Sequence, residues 1–218
     1  MKKRTLIAIA LLTLLTTISF PNWQPVTKFN LKIINIENNY LLKENEIKKS
    51  LLPLYDKNLF FLRNKEIENA LKKNDFIESF EVKKKYPDKI NIKVFEKKPI
   101  AILLKEKKKF YLSDKIEIIE FKKYSHLNNL PYVIGDKDNF KKLFNELKKI
   151  NFPFGIIKRY TLYESSRWDL VTVNKKLIRL PAKNYISGLK NYMLLIEKKN
   201  TQKYEVFDYR IKDQLILK

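Results

Sequence analysis

The stretch YPDKINIKVFEKKPIA, Tyr86–Ala101, contains a turn, an alternating run and a charged break. The alternation places every second residue on one face, the period that is typical of a strand with one buried side. Its apolar members are Ile90, Ile92 and Val94, and its polar members are Asn91 and Lys93. Pro87 and Asp88 suit the corners of a turn. Because the preceding run IESFEVKKK (77–85) also alternates, the two runs predict a β-hairpin.

One strand and two helices are predicted upstream of the hairpin. The run FNLKIINIENN (29–39) alternates through Leu31 and Ile33, whereas KENEIKKSLLPL (43–54) and RNKEIENALKKN (63–74) have helical spacing. The apolar residues of the two helices are Ile47, Leu51, Leu54, Ile67, Ala70 and Leu71, and Asn64 is the expected N-cap. A layer of two helices on a three-stranded sheet would bury these faces, which predicts a small domain over residues 28–97.

Residues 98–218 predict a second, mostly antiparallel β domain with two helices. Short apolar runs separated by charged turns indicate a meander. These runs are PIAILLKE (99–106), KKFYLSD (108–114), IEIIEF (116–121), IKRYTLYES (157–165), RWDLVTV (167–173) and KKLIRLP (175–181). The helices are expected in 136–150, with the stripe Phe140, Leu143, Phe144 and Leu147, and in 185–199, with the stripe Ile186, Leu189, Met193 and Ile196. The last run, YEVFDYRIKDQLILK (204–218), is expected to end as a strand.

The amino-terminal segment predicts one membrane-spanning helix. After the basic residues 1–4, residues 5–20 carry no charge, and sixteen helical residues span roughly 24 Å. Asn22 and Trp23 extend this to an anchor over 5–23, since both can sit at the membrane interface. A cleaved secretory signal peptide is the alternative, although TTISF is a poor cleavage site. In both cases residues 1–4 stay in the cytoplasm and residues 24–218 are exported.

Composition excludes several kinds of function. The net charge of +22 raises nucleic acid as a partner, but only six of the 46 basic residues are arginine and the lysines are spread along the whole chain. Because base and phosphate recognition favours the guanidinium fork, the charge is interpreted as a solvated surface. Cysteine is absent, which excludes disulfides and thiolate metal sites.

No common catalytic arrangement is predicted. The single histidine, His126, excludes a multi-histidine metal site, and three glycines cannot form a phosphate-binding loop. Paired carboxylates stay open as a possibility, at Asp114 with Glu117 or at Glu164 with Asp169. We therefore expect a binding or scaffolding protein without catalytic residues, cofactor or metal.

Taken together, the order of segments and four strings resemble the FtsQ/DivIB family of bacterial cell-division proteins. The strings are NLFFL (58–62), YPDKINIKVFEKKPIA (86–101), RWDLVTVNKKLIRLP (167–181) and VFDYRIKDQLILK (206–218). The resemblance implies an α+β chain: a short cytoplasmic end, a single membrane-spanning helix, a POTRA domain of the strand-helix-helix-strand-strand kind and a carboxy-terminal β domain.

Three departures from the family pattern are present. Tyr86 stands where tryptophan is common, Lys97 and Lys98 replace an arginine pattern, and asparagine at 38 or 39 replaces a turn glycine. The asparagine change is mild, because asparagine tolerates a left-handed conformation.

The family resemblance also implies a function. It implies a non-enzymatic divisome scaffold in the inner membrane, at the division septum, with a periplasmic carboxy terminus. Its implied partners are an FtsB/FtsL pair, bound at the last strand, and other division proteins, bound through the POTRA domain.

The expected partner-binding residues lie in the last run of the chain. They are Ile211, Lys212, Asp213, Gln214, Leu215, Ile216 and Leu217. A final strand is expected to be a sheet edge, which can accept a partner strand, with Leu215 and Leu217 facing one way. Two other functions stay open from the residues alone. One is a POTRA-bearing factor for transport or assembly of outer-membrane proteins, and the other is a basic nucleic-acid-binding protein.

Overall fold

The computed structural model describes residues 3–17, 27–198 and 203–218. Helix α1 spans Lys3–Thr17. Among the helices in these ranges, none is both long enough and apolar enough to cross a membrane. The end of the expected anchor, residues 18–23, lies outside the described residues.

The first unit of the chain has the predicted order of strand, two helices and hairpin. Its elements are β1 (Ile33–Glu37), α2 (Glu44–Leu51), α3 (Asn64–Leu71), β2 (Ile77–Lys85) and β3 (Lys89–Glu96). The sheet order is β1-β3-β2, and β1 runs parallel to β3. Internal contacts group residues up to Asn74 with Ser79–Phe95, so the boundary of this unit falls after Phe95.

The core of the first unit uses the predicted apolar faces. The residues Ile90, Ile92 and Val94 of β3 are fully buried, as are Ile47, Leu51 and Ile67 on the helices. Two details differ from the sequence prediction. Ile34 is buried while Ile33 is 39% exposed, so β1 turns its other face inward. Asn64 is the first helical residue and Arg63 is the N-cap, its amide donating to Glu66 Oε1 at 3.3 Å.

The second unit contains a nine-stranded sheet. Its strands are β4 (Pro99–Lys105), β5 (Lys108–Ser113), β6 (Ile118–Glu120), β7 (Tyr132–Ile134), β8 (Ile157–Leu162), β9 (Trp168–Thr172), β10 (Leu177–Arg179), β11 (Val206–Asp208) and β12 (Ile216–Leu217). The order is β12-β11-β10-β9-β8-β7-β4-β5-β6. Five neighbouring pairs are antiparallel and three are parallel, so the sheet is mixed although mostly antiparallel.

The simple meander expected from the sequence is therefore wrong at the centre of this sheet. Strand β7, which no pattern in the sequence indicates, lies between β4 and β8 and runs parallel to both. Parallel strands need a crossover connection. Helix α4 (Lys137–Lys149) supplies the crossover from β7 to β8, and α5 (Tyr185–Glu197) supplies the crossover from β10 to β11. The two predicted helices thus explain two of the three parallel pairs, and β4 reaches its parallel neighbour β7 through β5 and β6.

Both crossover helices pack onto the sheet. The stripe of α4 is buried as predicted and comprises Phe140, Leu143, Phe144 and Leu147. Trp168 of β9 is 4% exposed and lies 6.3 Å from the ring of Phe140. On α5 the predicted stripe is confirmed in part: Leu189 is buried and Ile186 and Met193 are partly buried against the core, whereas Ile196 is 37% exposed. Tyr192, which the stripe did not include, is also buried.

Candidate functional site

One edge of the large sheet lies at β12, whose one hydrogen-bonded neighbour among the described strands is β11, and the opposite edge lies at β6. The amide of Lys218 donates to the Val206 carbonyl at 3.1 Å, and the Lys218 carbonyl accepts from the Val206 amide at 3.0 Å. Antiparallel partners alternate between hydrogen-bonded and non-hydrogen-bonded pairs. Leu217, one residue earlier, therefore directs its own amide and carbonyl away from β11, where another strand can bind them.

The residues just before β12 form a turn, so the strand expected at the end of the run 204–218 is limited to Ile216–Leu217. Asp213 has a positive φ of 58°. The amide of Gln214 donates to the carbonyl of Ile211 at 3.3 Å, which closes the turn. Aspartate adopts this left-handed conformation more readily than most residues, and this local preference overrides the alternating pattern.

A groove of about 570 Å³ lies beside this edge, between the start of α5 and the turn. On the helix side it is lined by Asn184, Ser187 and Asn191, and on the turn side by residues 209–215. The structure thus brings the predicted site residues 211–215 to the wall of one groove, and places Ile216 and Leu217 in the adjoining edge strand.

The apolar side chains at this edge divide between the core and the solvent. Leu215 and Leu217 are half-buried and pack against the core of the second unit. Ile211 is 50% exposed and Ile216 is 37% exposed. All four belong to the expected partner-binding residues; Leu215 and Leu217 are engaged within the domain, and Ile211 and Ile216 are the exposed apolar groups.

A row of opposite charges crosses β9, β10 and β11 next to the edge. Asp169, Arg179 and Asp208 are direct cross-strand partners. Arg179 Nε lies 3.9 Å from Asp169 Oδ2, and its Nη1 lies 3.7 Å from Asp208 Oδ2. Arg210 donates from Nε to Asp208 Oδ1 at 2.8 Å and from Nη2 to Oδ2 at 2.5 Å. With Arg167 at 3.9 Å from Asp169, three arginines face two aspartates, which leaves one unbalanced positive charge.

The two aspartates of this row differ in their pKa shifts. Hydrogen bonds from Arg210 hold the pKa of Asp208 below its ordinary value. Burial raises the pKa of Asp169. Its neighbours Arg167 and Arg179 act in the opposite direction, but they lie 3.9 Å away, beyond hydrogen-bond distance, and do not cancel the effect of burial. Asp208 is therefore the firmly ionised group that fixes Arg210 at the entrance of the turn.

Gly188 of α5 allows a close approach at the back of the groove. A Cβ at this position would lie 3.0 Å from Tyr209 Cγ and 3.2 Å from Tyr209 Cβ. The Tyr209 ring has little freedom to move, since its hydroxyl bonds to Asn191 Oδ1 at 3.1 Å and its amide donates to the Arg179 carbonyl at 2.9 Å. Helix α5 and the Tyr209 ring are thus packed too closely at Gly188 to admit a side chain without a shift.

We expect Gly188→Ala to lower the unfolding free energy by about 1 kcal/mol. Overpacking costs roughly 1–3 kcal/mol, while alanine returns up to about 1 kcal/mol of helix propensity. Gly155→Ala is the matched control, because a Cβ there meets nothing within 4 Å. Denaturant unfolding of both variants measures the difference. Equal stability of the two variants would mean that Tyr209 yields without cost.

The other candidate groups from the sequence include His126, Glu117 and Asp169. His126 is exposed in a single helical turn, Ser125–Leu127. Glu117 is paired with Lys97 at 2.8 Å, and Asp169 belongs to the charged row. Within residues 3–17, 27–198 and 203–218, no group of three or more histidine, aspartate or glutamate residues could hold a metal.

Sequence reasoning missed the contribution of α5 and the cross-strand charges. Asp208 and Arg210 stand two residues apart, a spacing that places both on one face when the chain is extended. The pairing of Asp208 with Arg210 could therefore be predicted from the sequence. The pairing of β10 with β11, which brings Arg179 to Asp208, could not be predicted, because it depends on a long-range parallel contact.

Comparison with known proteins identifies relatives over most of the chain. Residues 29–97 match the family model described as "POTRA domain, FtsQ-type". The cell division protein FtsQ of Rickettsia bellii is 33% identical over 201 residues, covering 88% of this chain and 74% of that protein. FtsQ of Rickettsia felis is 31% identical over 199 residues, with the same coverage of each chain.

Relatives named DivIB are more distant. The cell division protein DivIB of Clostridium tetani is 30% identical over 136 residues, covering 62% of this chain and 44% of that protein. The solved extracytoplasmic domain of DivIB from Geobacillus stearothermophilus, in its trans isomer, aligns with 15% identity and a TM-score of 0.35, over 50% of this chain and 99% of that one. By its similarity to FtsQ over most of both sequences, the chain belongs to the FtsQ/DivIB family of bacterial cell-division proteins.

Proposed function

We propose that the protein is a non-enzymatic scaffold of the bacterial division machinery, which binds FtsB/FtsL-type proteins at the β12 edge and links early division proteins to septal peptidoglycan synthesis. The observation that carries the proposal is an edge strand with an outward-facing backbone, in a chain of the FtsQ/DivIB family. The POTRA domain is proposed to contact other division proteins.

Strand addition suits the chemistry of this edge. The outward amide and carbonyl of Leu217 offer one pair of backbone hydrogen bonds, and the exposed Ile216 and Ile211 offer apolar contact. The groove beside the turn can receive side chains of the added segment. The partner is therefore proposed to contribute an extended segment with apolar residues.

The charged row adds a preference to this contact. One positive charge is unbalanced among the three arginines, and Arg210 is 39% exposed in its side chain. An acidic side chain on the incoming segment would complement it, and charge complementarity raises association rates and excludes wrong partners. We expect the association to weaken as ionic strength rises, since exposed charges are screened.

The scaffold is proposed to be held in the inner membrane by the anchor at residues 5–23, with residues 1–4 in the cytoplasm. The support is the uncharged run 5–20 after a basic end. A periplasm-dependent reporter such as alkaline phosphatase, joined after Lys218 through a flexible linker, should be active. A reporter that folds only in the cytoplasm should be inactive at the same position. The reverse pair of results would contradict both the anchor and the proposed location.

Septal recruitment is a separate part of the proposal. A fluorescent copy fused before Met1 leaves the β12 edge unobstructed and should collect at the division site. Uniform labelling of the envelope in dividing cells, with the reporter exported, would contradict recruitment but not the anchor.

A further inference from the structure

An exposed aromatic surface lies on the POTRA domain. We call it the aromatic patch and define it as Phe29, Phe60, Phe61 and Tyr86. The Phe60 ring stacks on Tyr86 at 4.6 Å between centroids and meets the edge of Phe29 at 4.7 Å. Phe60 is 55% exposed, Phe61 78% and Tyr86 51%. Three neighbouring aromatic rings in solvent mark an interaction surface, because isolated domains rarely expose contiguous apolar groups.

The loop that carries the two phenylalanines is firmly held. Leu59 and Leu62, on either side of them, are buried at 0% and 3% exposure. Lys84 Nζ donates to both of their carbonyls at 2.7 Å, and the Phe60 amide donates to Asn58 Oδ1 at 3.0 Å. The outward direction of Phe60 and Phe61 is thus set by their neighbours, and these rings point to a binding surface.

The patch lies at one end of the three-stranded sheet. Phe29 comes shortly before β1 and Tyr86 shortly before β3, and these strands run parallel with Ile33 opposite Lys89. Residues 24–28 separate Phe29 from the end of the proposed anchor at residue 23, and a chain of this length reaches only about 20 Å when extended. Tyr40, 80% exposed, follows β1 and so lies at the opposite end of the sheet.

The charges around the patch are mainly positive. Lys28, Lys85 and Lys89 are exposed and lie within three residues of Phe29 or Tyr86 along the chain. The acidic residues nearby are Asp56, Asp88 and Glu66, and Glu66 is already paired with Lys57. Basic side chains close to a membrane attract anionic lipid headgroups, while aromatic rings favour the headgroup layer.

We propose that the aromatic patch rests in the headgroup layer of the membrane that holds the anchor, with anionic lipids as its ligand. The inference rests on the proposed anchor at residues 5–23. This contact would fix the POTRA domain on the bilayer surface, with its Tyr40 end directed away.

Two single-cysteine variants of the full-length protein test the contact, since the natural chain has no cysteine. Phe61→Cys and Tyr40→Cys are labelled with an environment-sensitive fluorophore and reconstituted into vesicles of phosphatidylethanolamine with phosphatidylglycerol as the minor anionic lipid. Nitroxide-headgroup lipid is the quencher. We expect quenching to be severalfold stronger at position 61 than at position 40. Equal quenching at the two positions overturns the proposal.

A second probe separates the role of the rings from the position of the label. With the fluorophore at Lys85→Cys, adding Phe61→Ser should reduce quenching severalfold, and circular dichroism should show an unchanged fold because Phe61 is a surface residue. Vesicles of phosphatidylcholine alone, which contain no anionic lipid, should also reduce the quenching at position 85 severalfold. Unchanged quenching in either arm overturns the proposal. If the reporter after Lys218 is exported and quenching is equal at positions 61 and 40, only the contact of the patch with lipid is rejected. If the reporter stays in the cytoplasm, both the anchor and the lipid contact are rejected.

Discussion

Replacing Ile92 by aspartate should unfold the POTRA domain or bring it close to unfolding. Ile92 is fully buried in β3, the middle strand of the sheet, directly opposite Ile36 of β1. A carboxylate there has no partner, and it must either stay charged at high cost or take up a proton. We expect a loss of about 3–5 kcal/mol, a large part of the roughly 5–15 kcal/mol that stabilises an ordinary domain. Thermal unfolding followed by circular dichroism measures it.

Lys93→Asp is the matched control for this change, because it introduces the same side chain one residue further along the strand. Lys93 is exposed, on the face where the Asn91 amide donates to Glu37 Oε1 at 2.8 Å. The new carboxylate would stand opposite Glu37, and such like-charge pairs cost roughly 0.2–1 kcal/mol. Comparable losses from the two substitutions would contradict the assignment of faces in β3.

The hairpin could be predicted from sequence because its determinants are local. Alternation at Ile90, Ile92 and Val94 identifies both the strand and its buried face, and the turn residues mark its start. Strand β7 could not be found in this way. Its three residues, Tyr132–Ile134, are too few to show a period, and the strand is stabilised by parallel neighbours that are distant in sequence. Its position depends on the crossover through α4, which is a tertiary property.

The edge strand that carries the proposed site was predictable in position but not in shape. The last run of the chain does reach a sheet edge, at β12. The pattern could not reveal that Asp213 adopts a positive φ and converts residues 211–214 into the wall of a groove. Nor could it show which apolar groups remain exposed, because Leu215 and Leu217 are half-buried only through contacts with the rest of the core.

If a partner strand adds to β12, proline substitutions at neighbouring residues should have opposite effects, one on the fold and the other on binding. The Leu217 amide points away from β11, whereas Ile216 belongs to a pair that faces Asp208 of β11. Proline at Ile216 therefore removes a bond within the sheet and should lower the unfolding free energy by about 1–3 kcal/mol. Proline at Gln214 should also act on the fold, since the Gln214 amide closes the turn.

Leu217→Pro should instead leave the domain folded and weaken its binding to FtsB/FtsL by roughly tenfold or more. The ring removes the outward donor and obstructs the approaching strand, and a loss of about 1.4 kcal/mol corresponds to a factor of ten in Kd. Leu217→Ala is the control, because it makes a similar cut in the half-buried side chain while keeping the amide. Circular dichroism checks the fold of each variant, and co-purification followed by titration measures binding. If Leu217→Pro is folded and binds as tightly as Leu217→Ala, backbone pairing at this edge is wrong, and the partner must be held by the groove and the arginines instead.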